Sequence, residues 1–338
     1  MNRVGALLSV LGLLLGVMSL STATTRPALV EEALKANEPL YYFGLGSNML
    51  RSKLENRSMK SKIEVLSFEP AVVHNHRLAF NMRGFVPLEP AMGSLEPTGY
   101  APGERPGRPL LAYDKPECHG ALIQLTPENY EKVMESEGIS KDNPNSGYEE
   151  VLVTAVPYDS TKSPVQAIAL RARPHVRLYQ DPAPSARYMQ ILREGATELG
   201  LSPCYQEFLA SHPVQQTPTW MKNLAVHNLI FTFTLNTMIG GAGSGSPMAR
   251  RSLVSKVQSW ILFRCYVPPN RPMLLRSLSD LVTTAVLLPG AVAGVGIRVY
   301  RHVSKTEHPP FMKRILGLVH DAANVETRTE SVPEKVAA

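Results

Sequence analysis

Cysteine is scarce in this chain of 338 residues: Cys118, Cys204 and Cys265 are far apart and odd in number. That count excludes a disulfide framework, and no CxxC pair marks a zinc site, so the fold must rest on burial. Charge is sparse too, at 19% of residues against 44% hydrophobic, which excludes disorder throughout. A chain of this length, at roughly 100–200 residues per domain, holds one large domain or two small ones. Acidic residues are thin in the last third. Residues 213–338 carry 14 Lys and Arg against 6 Asp and Glu, a balance of +8 within a total of +6, so residues 1–212 are slightly acidic. No recognised nucleic-acid-binding motif accompanies this basic excess, and no nucleic-acid partner is expected.

Charge is missing altogether from Val4 to Thr25, behind the single basic residue Arg3. A short basic start, an apolar run and the small residues Ser21-Thr22-Ala23 describe a secretory signal peptide. Left uncleaved, the same run approaches the ~20 residues of a membrane-spanning helix and would act as a signal anchor. Residues 1–30 are therefore set apart from the fold, and the chain is expected to enter the secretory pathway or a plastid or endomembrane route. At the other end, Leu281–Ile297 is free of charge and closed by Arg298, Arg301 and Lys305, and 229–241 is a second apolar tract. Between them, Arg250, Arg251, Lys256 and Arg264 interleave with Leu253, Trp260, Ile261 and Phe263. Two readings of 213–320 stand: a helical extension lying on an anionic membrane through 229–241 and 281–297, or a helical subdomain with a solvated basic face. Residues 321–338 read as a disordered polar tail.

The middle of the chain mixes strands with a few helices. Leu40–Leu45 reads as a strand that breaks at Gly46-Ser47-Asn48 before a short amphipathic helix over MLRSKLENRS. A strand, a glycine turn and a helix start point unpaired backbone N–H groups at whatever sits above the turn. Ile63–Leu66 and Ala71–Phe80 read as further strands, with His74 and His76 on one face and no third metal ligand in view. Asn81–Glu117 is 37 residues with seven prolines and five glycines. It is too long for a mere connector, and a brief return to strand is expected at 89–97. Cys118–Leu125 alternates as a strand. Thr126-Pro127 opens a helix that Gly138 closes, which puts Glu137 in the last turn, against the helix dipole. That conflict hints at function. Glu149–Pro157 and Val165–Arg173 pair as a hairpin, and two helices follow, RYMQILREGATELG and Ser202–Leu209. With no βαβ alternation the class is α+β with a largely antiparallel sheet or barrel. Asn56-Arg57-Ser58 is a glycosylation sequon, usable in a secretory lumen.

Four stretches in order resemble the γ-glutamylcyclotransferases. Leu40–Met49 is similar to the family's YFAYGSNL signature. Cys118-His119-Gly120 leads to Glu135-Ser136-Glu137-Gly138; then come Ser146-Gly147-Tyr148 and Pro184–Leu209. The resemblance covers about residues 39–212, so 31–212 is expected to be the catalytic domain, and FVPLEPAMGSLEP is most similar to the fungal and algal branch. It implies a small mixed, largely antiparallel β-barrel with flanking helices. It also implies conversion of a γ-glutamyl amino acid to 5-oxoproline and a free amino acid. Carried onto this chain, Glu137 would be the general acid and base, Leu45, Gly46, Ser47 and Asn48 the glutamyl-binding loop, and Tyr148 and Tyr188 further substrate-binding residues. Where the family usually has tyrosine this chain has Leu45, which removes a hydroxyl near the substrate. Glutathione and γ-glutamylamines are alternative substrates, and an inactive, membrane-tethered binding protein on the same scaffold is the alternative function. The chemistry asks for no metal or cofactor: the substrate's own α-amine is the nucleophile, and one carboxylate can take its proton and return one to the leaving nitrogen.

Overall fold

Leu40–Gly44 forms strand β1, and three of its last four residues are the buried Tyr42, Phe43 and Gly44. Such a run, apolar on both faces, suits a strand with a packed interior on one side and helices on the other. The computed structural model describes residues 26–58, 61–99, 114–139, 146–174, 176–178, 181–240, 258, 261 and 273–303. After β1 come a 3-10 turn over Ser47–Met49 and helix α2, Arg51–Glu55, with α1, Ala28–Ala36, ahead of them. Strands β2 (Ser67–His74), β3 (His76–Phe85), β4 (Glu89–Pro97) and β5 (Glu117–Leu125) lead to α3 (Pro127–Ser136). Strands β6 (Tyr148–Pro157) and β7 (Val165–Ala172) precede α4 (Ala186–Glu198), α5 (Pro203–Ser211), α6 (Thr219–Gly240) and α7 (Met273–Val303).

Five strands close a barrel in the order β1-β5-β2-β6-β7. Its pairings are antiparallel except where β7 returns to β1, Ile168 opposite Tyr42. The α+β, largely antiparallel barrel with flanking helices is the observed class. β6 and β7 form the expected hairpin, from Tyr148 opposite Ala172 to Ala155 opposite Val165.

Three expectations change. Ala71–Phe80 is not one strand: Asn75 adopts the left-handed conformation, φ 57°, ending β2 in the barrel and starting β3 in a separate two-stranded sheet with β4. An L-residue pays for that conformation, and asparagine pays least among non-glycines. His74 and His76 therefore flank a turn instead of sharing a strand face. Ile63–Leu66 is not a strand either, because the Ile63 N–H donates to the Glu55 carbonyl at 2.8 Å and the stretch docks on the end of α2. β5 does not alternate; Cys118 through Ile123 are all buried, since helices cover its outer face. The long segment 81–117 begins as ordered structure, completing β3 and supplying β4, where the return to strand was expected; residues 100–113 lie outside the described residues.

The helices start and stop where local chemistry directs. The Thr126 hydroxyl accepts from the Asn129 N–H, with Pro127 in the first turn. Gly138 at φ 81° closes α3, with the Ile139 N–H on the Met134 carbonyl at 2.9 Å. The Ser185 hydroxyl caps α4 by accepting from the Tyr188 N–H at 3.0 Å. Within the stretch set apart as a signal segment, Arg26 pairs with Glu131 and Glu150 and Val30 is fully buried in the barrel's core cluster. Residues 26–36 thus pack on the barrel. The charge-free run 4–25 and the tail 321–338 lie outside the described residues.

Candidate active site

The site is assembled from the end of β1, the end of α3 and the segment after α2. Gly46 breaks the strand, and the next residues tighten into the 3-10 turn that carries Asn48, 4% exposed. Ser47 and Asn48 stand at the start of this turn, where N–H groups have no intrahelical partner. Neither donates to a backbone carbonyl among the described residues. The Asn48 amide instead spends its own hydrogens, donating to Tyr42 Oη at 2.8 Å and to Glu137 Oε1 at 2.9 Å. Glu137 is the C-cap of α3. A carboxylate there opposes the helix dipole, and a cation resolves the conflict: Arg57 Nη2 lies 2.8 Å from Glu137 Oε2. The same guanidinium donates through Nη1 to Ser47 Oγ at 3.0 Å and to Asn48 Oδ1 at 2.7 Å. Burial, the largest single influence, disfavours the Arg57 charge, but Glu137 together with Tyr42, Tyr148 and Tyr188 favours it and leaves Arg57 above the ordinary guanidinium value.

Tyr148 and Tyr188 meet on one residue of β4, Gly93. Tyr148 Oη donates to the Gly93 carbonyl at 2.8 Å, and Tyr188 Oη accepts from the Gly93 N–H at 3.0 Å. Gly46 lies on the far side of the same hydroxyl. A Cβ at Gly46 would stand 2.6 Å from Tyr188 Oη, and one at Gly93 3.0 Å. Only residues without a Cβ let the loop and β4 close on Tyr188. Burial, the largest influence, pushes the Tyr188 phenol up to about 12 and raises Tyr148 and Tyr42 as well, with Glu137 acting in the same direction on all three. These phenols stay protonated at neutral pH. They serve as fixed donors and walls around one carboxylate.

The sequence-named residues thus come together in part. Ser47, Asn48 and Glu137 share one hydrogen-bonded cluster with Arg57, while Gly46 lies against Tyr188, which shares Gly93 with Tyr148. Leu45 does not offer its side chain to the site: it is 5% exposed and packs in the core cluster. Its contribution is confined to the backbone, so a hydrophobe at this position is accommodated by burial. Three residues escaped the sequence reading. Tyr42 carried a faint signal, as the buried member of Tyr41-Tyr42 on β1. Gly93 lay inside the stretch read only as a strand. Arg57 sat in the sequon, and the structure turns its side chain into the site while Asn56 is exposed. Among the described residues no group of three or more His, Cys, Asp or Glu side chains could hold a metal ion.

Known proteins are similar in sequence over about half of the chain. No family model matches the chain. A γ-glutamyl cyclotransferase gliK of Aspergillus fumigatus is 30% identical over 189 residues, covering 53% of this chain; the chain spans 64% of that relative's length. A γ-glutamyl cyclotransferase gliK of Claviceps purpurea is 30% identical over 183 residues, 53% of this chain and 75% of its own. A γ-glutamyl cyclotransferase verK of Clonostachys rogersoniana is 28% identical over 180 residues, 50% of this chain and 91% of its own. With a relative at 30% identity matched over three quarters of its length, the chain belongs to the γ-glutamylcyclotransferase family.

Proposed function

We propose that the protein is a γ-glutamylcyclotransferase that converts γ-glutamyl amino acids to 5-oxoproline and the free amino acid, with Glu137 as general acid and base. The observation that carries this reading is the contact of Asn48 and Glu137 at 2.9 Å, which sets a carboxylate against a turn with unused backbone donors. In a γ-glutamyl amide the α-amine reaches the γ-carbonyl within a five-membered ring, so the nucleophile is already tethered to its target. Glu137 takes a proton from the α-ammonium. The freed amine adds to the γ-carbonyl carbon, a C–N bond forms, and the carbonyl electrons move onto oxygen. The N–H groups of Ser47 and Asn48 are the donors for that oxyanion, a contribution of about 10²–10³-fold where such a donor is well placed. Collapse restores the carbonyl and breaks the original amide bond. The α-nitrogen gives up two protons in becoming the lactam N–H, and the leaving amine gains two in departing as an ammonium. Relayed one at a time, they leave Glu137 as it began. No enzyme nucleophile is involved, and the buried Cys118 has no role.

Replacing Glu137 with Gln keeps the shape and the Asn48 contact but removes the base. The Glu137→Gln protein is expected to fold, melting below the parent because Arg57 loses its anion, and to lose about 10²–10⁴-fold in 5-oxoproline formation from γ-glutamyl-alanine. Turnover at the parental rate would remove Glu137 from the mechanism.

A further inference from the structure

Helix α7 is inside out. On its inner side Ser279, Thr283 and Ala291 are buried. Gly290 and Gly294 pack so closely on α6 that a Cβ would lie 2.0 Å from Asn228 Oδ1 and 1.8 Å from the His227 carbonyl oxygen. Apart from the buried Leu287, most of the large apolar side chains face the other way. Leu278, Leu281, Leu288, Val292, Val295 and Val299 are 45–66% exposed, and exposed Ala285 fills the remaining step. Their spacing alternates three and four residues, which draws one continuous stripe along the helix. A stripe of this length is larger than the scattered apolar residues of an ordinary surface. Small and polar residues inside with leucine and valine outside is how helices pack when the medium around them is itself apolar.

We propose that this face is immersed in an anionic lipid bilayer, with α7 lying along the membrane surface and the barrel held against it. The direction follows from the contact with the β3–β4 turn. Leu287, near the middle of α7, is buried with Val86, between β3 and β4, and with Ala225 of α6. Were α7 to cross a hydrocarbon core of about 30 Å, that contact would draw the β3–β4 turn and its backbone towards the midplane. Lying in the plane instead, α7 sinks its stripe about 5–10 Å into the acyl boundary and keeps the barrel in water. Charge agrees: within Met273–Val303 the sequence has Arg276, Arg298 and Arg301 against the single acid Asp280, and residues 213–338 carry the chain's basic excess. Anionic headgroups complement that balance.

The test uses the full chain with vesicles of phosphatidylcholine and about one quarter phosphatidylserine, doped with a lipid bearing an acyl-chain diazirine. After photolysis, peptide mapping is expected to find lipid adducts on the outward residues of 278–299, while trypsin added outside still cuts after Lys305. The double substitution Leu288→Asp, Val292→Asp should lower those adducts by about tenfold or more, given the apolar burial lost, with 5-oxoproline formation unchanged. Three outcomes overturn the proposal. Adducts absent from α7 would put the stripe out of contact with lipid, and vesicle protection of Lys305 would mean that the helix crosses. A Val292→Cys chain that crosslinks to a second copy in the absence of lipid would assign the stripe to self-association.

Discussion

Arg57 binds Glu137 and the Gly46–Asn48 turn at once, with Nη2 2.8 Å from Glu137 Oε2 and Nη1 2.7 Å from Asn48 Oδ1. One planar, always-charged fork thereby sets the distance between the carboxylate and the loop. A guanidinium can do this because its donors diverge at fixed angles; an ammonium is a point charge on a flexible stem. On the proposed mechanism Arg57 is a positioning residue that acts through Glu137 and Asn48.

Arg57→Lys preserves the charge and loses the fork. Expected is a fall of about 10²-fold in kcat, the scale set by misplacing a reacting group by about an ångström, with KM changed much less. Arg57→Met should do worse and also destabilise the fold, by about 3–5 kcal/mol, because Glu137 is left buried without its cation. Steady-state kinetics and thermal melting of both variants separate positioning from stability. Equal kcat in parent and Arg57→Lys would show that the fork is dispensable.

Gly46 and Tyr188 predict a rescue. Gly46→Ala places a methyl 2.6 Å from the Tyr188 hydroxyl, so the loop must move and activity should fall by about 10²-fold. Beyond that oxygen the nearest Tyr188 atom is the ring carbon at 3.8 Å, an ordinary contact. Tyr188→Phe in the Gly46→Ala background should therefore recover part of the loss, although it also removes the Gly93 hydrogen bond. The double-variant cycle checks this: losses that simply add would mean that the two groups do not meet.

His119 predicts a pH dependence of stability. Burial lowers its pKa, against the opposing pull of Glu117 at 3.1 Å, with His74 and Lys115 also lowering it and the Tyr158 hydroxyl on the other ring nitrogen. In the unfolded chain the imidazole titrates near 6.5 and binds more protons than the folded one below that pH. Stability is therefore full above about 6.5 and falls as pH drops through the window below it. Melting temperature measured from about pH 7.5 to 5.5 should decline, and the decline should be shallower in His119→Gln, which has no proton to gain in that range. Parallel profiles would take His119 out of the dependence.

Much of this protein is set by short-range rules and is legible along the chain. Thr126-Pro127 and Ser185 start helices, Gly138 and Gly200 stop them, and Gly46 interrupts β1, because caps, turns and φ preferences depend on a few neighbouring residues. The position of Glu137 against the dipole of α3 was visible in the same way, as a local cost without a local partner. What resolved that cost was not visible. Arg57 lies eighty residues earlier behind a short helix, and only barrel closure brings it to Glu137. The same closure set Gly93 between Tyr148 and Tyr188 and buried Leu45, and the packing of α7 on α6 left Leu278, Leu281 and Leu288 outward. Such long-range contacts depend on which strands pair and which faces meet, and residue type constrains those choices only through the packing of the whole. The sequence determined most of the elements, the family and the conflict of Glu137 with its helix dipole; tertiary structure decided which cation meets that carboxylate and which face of α7 stays exposed, because both depend on distant segments packing together.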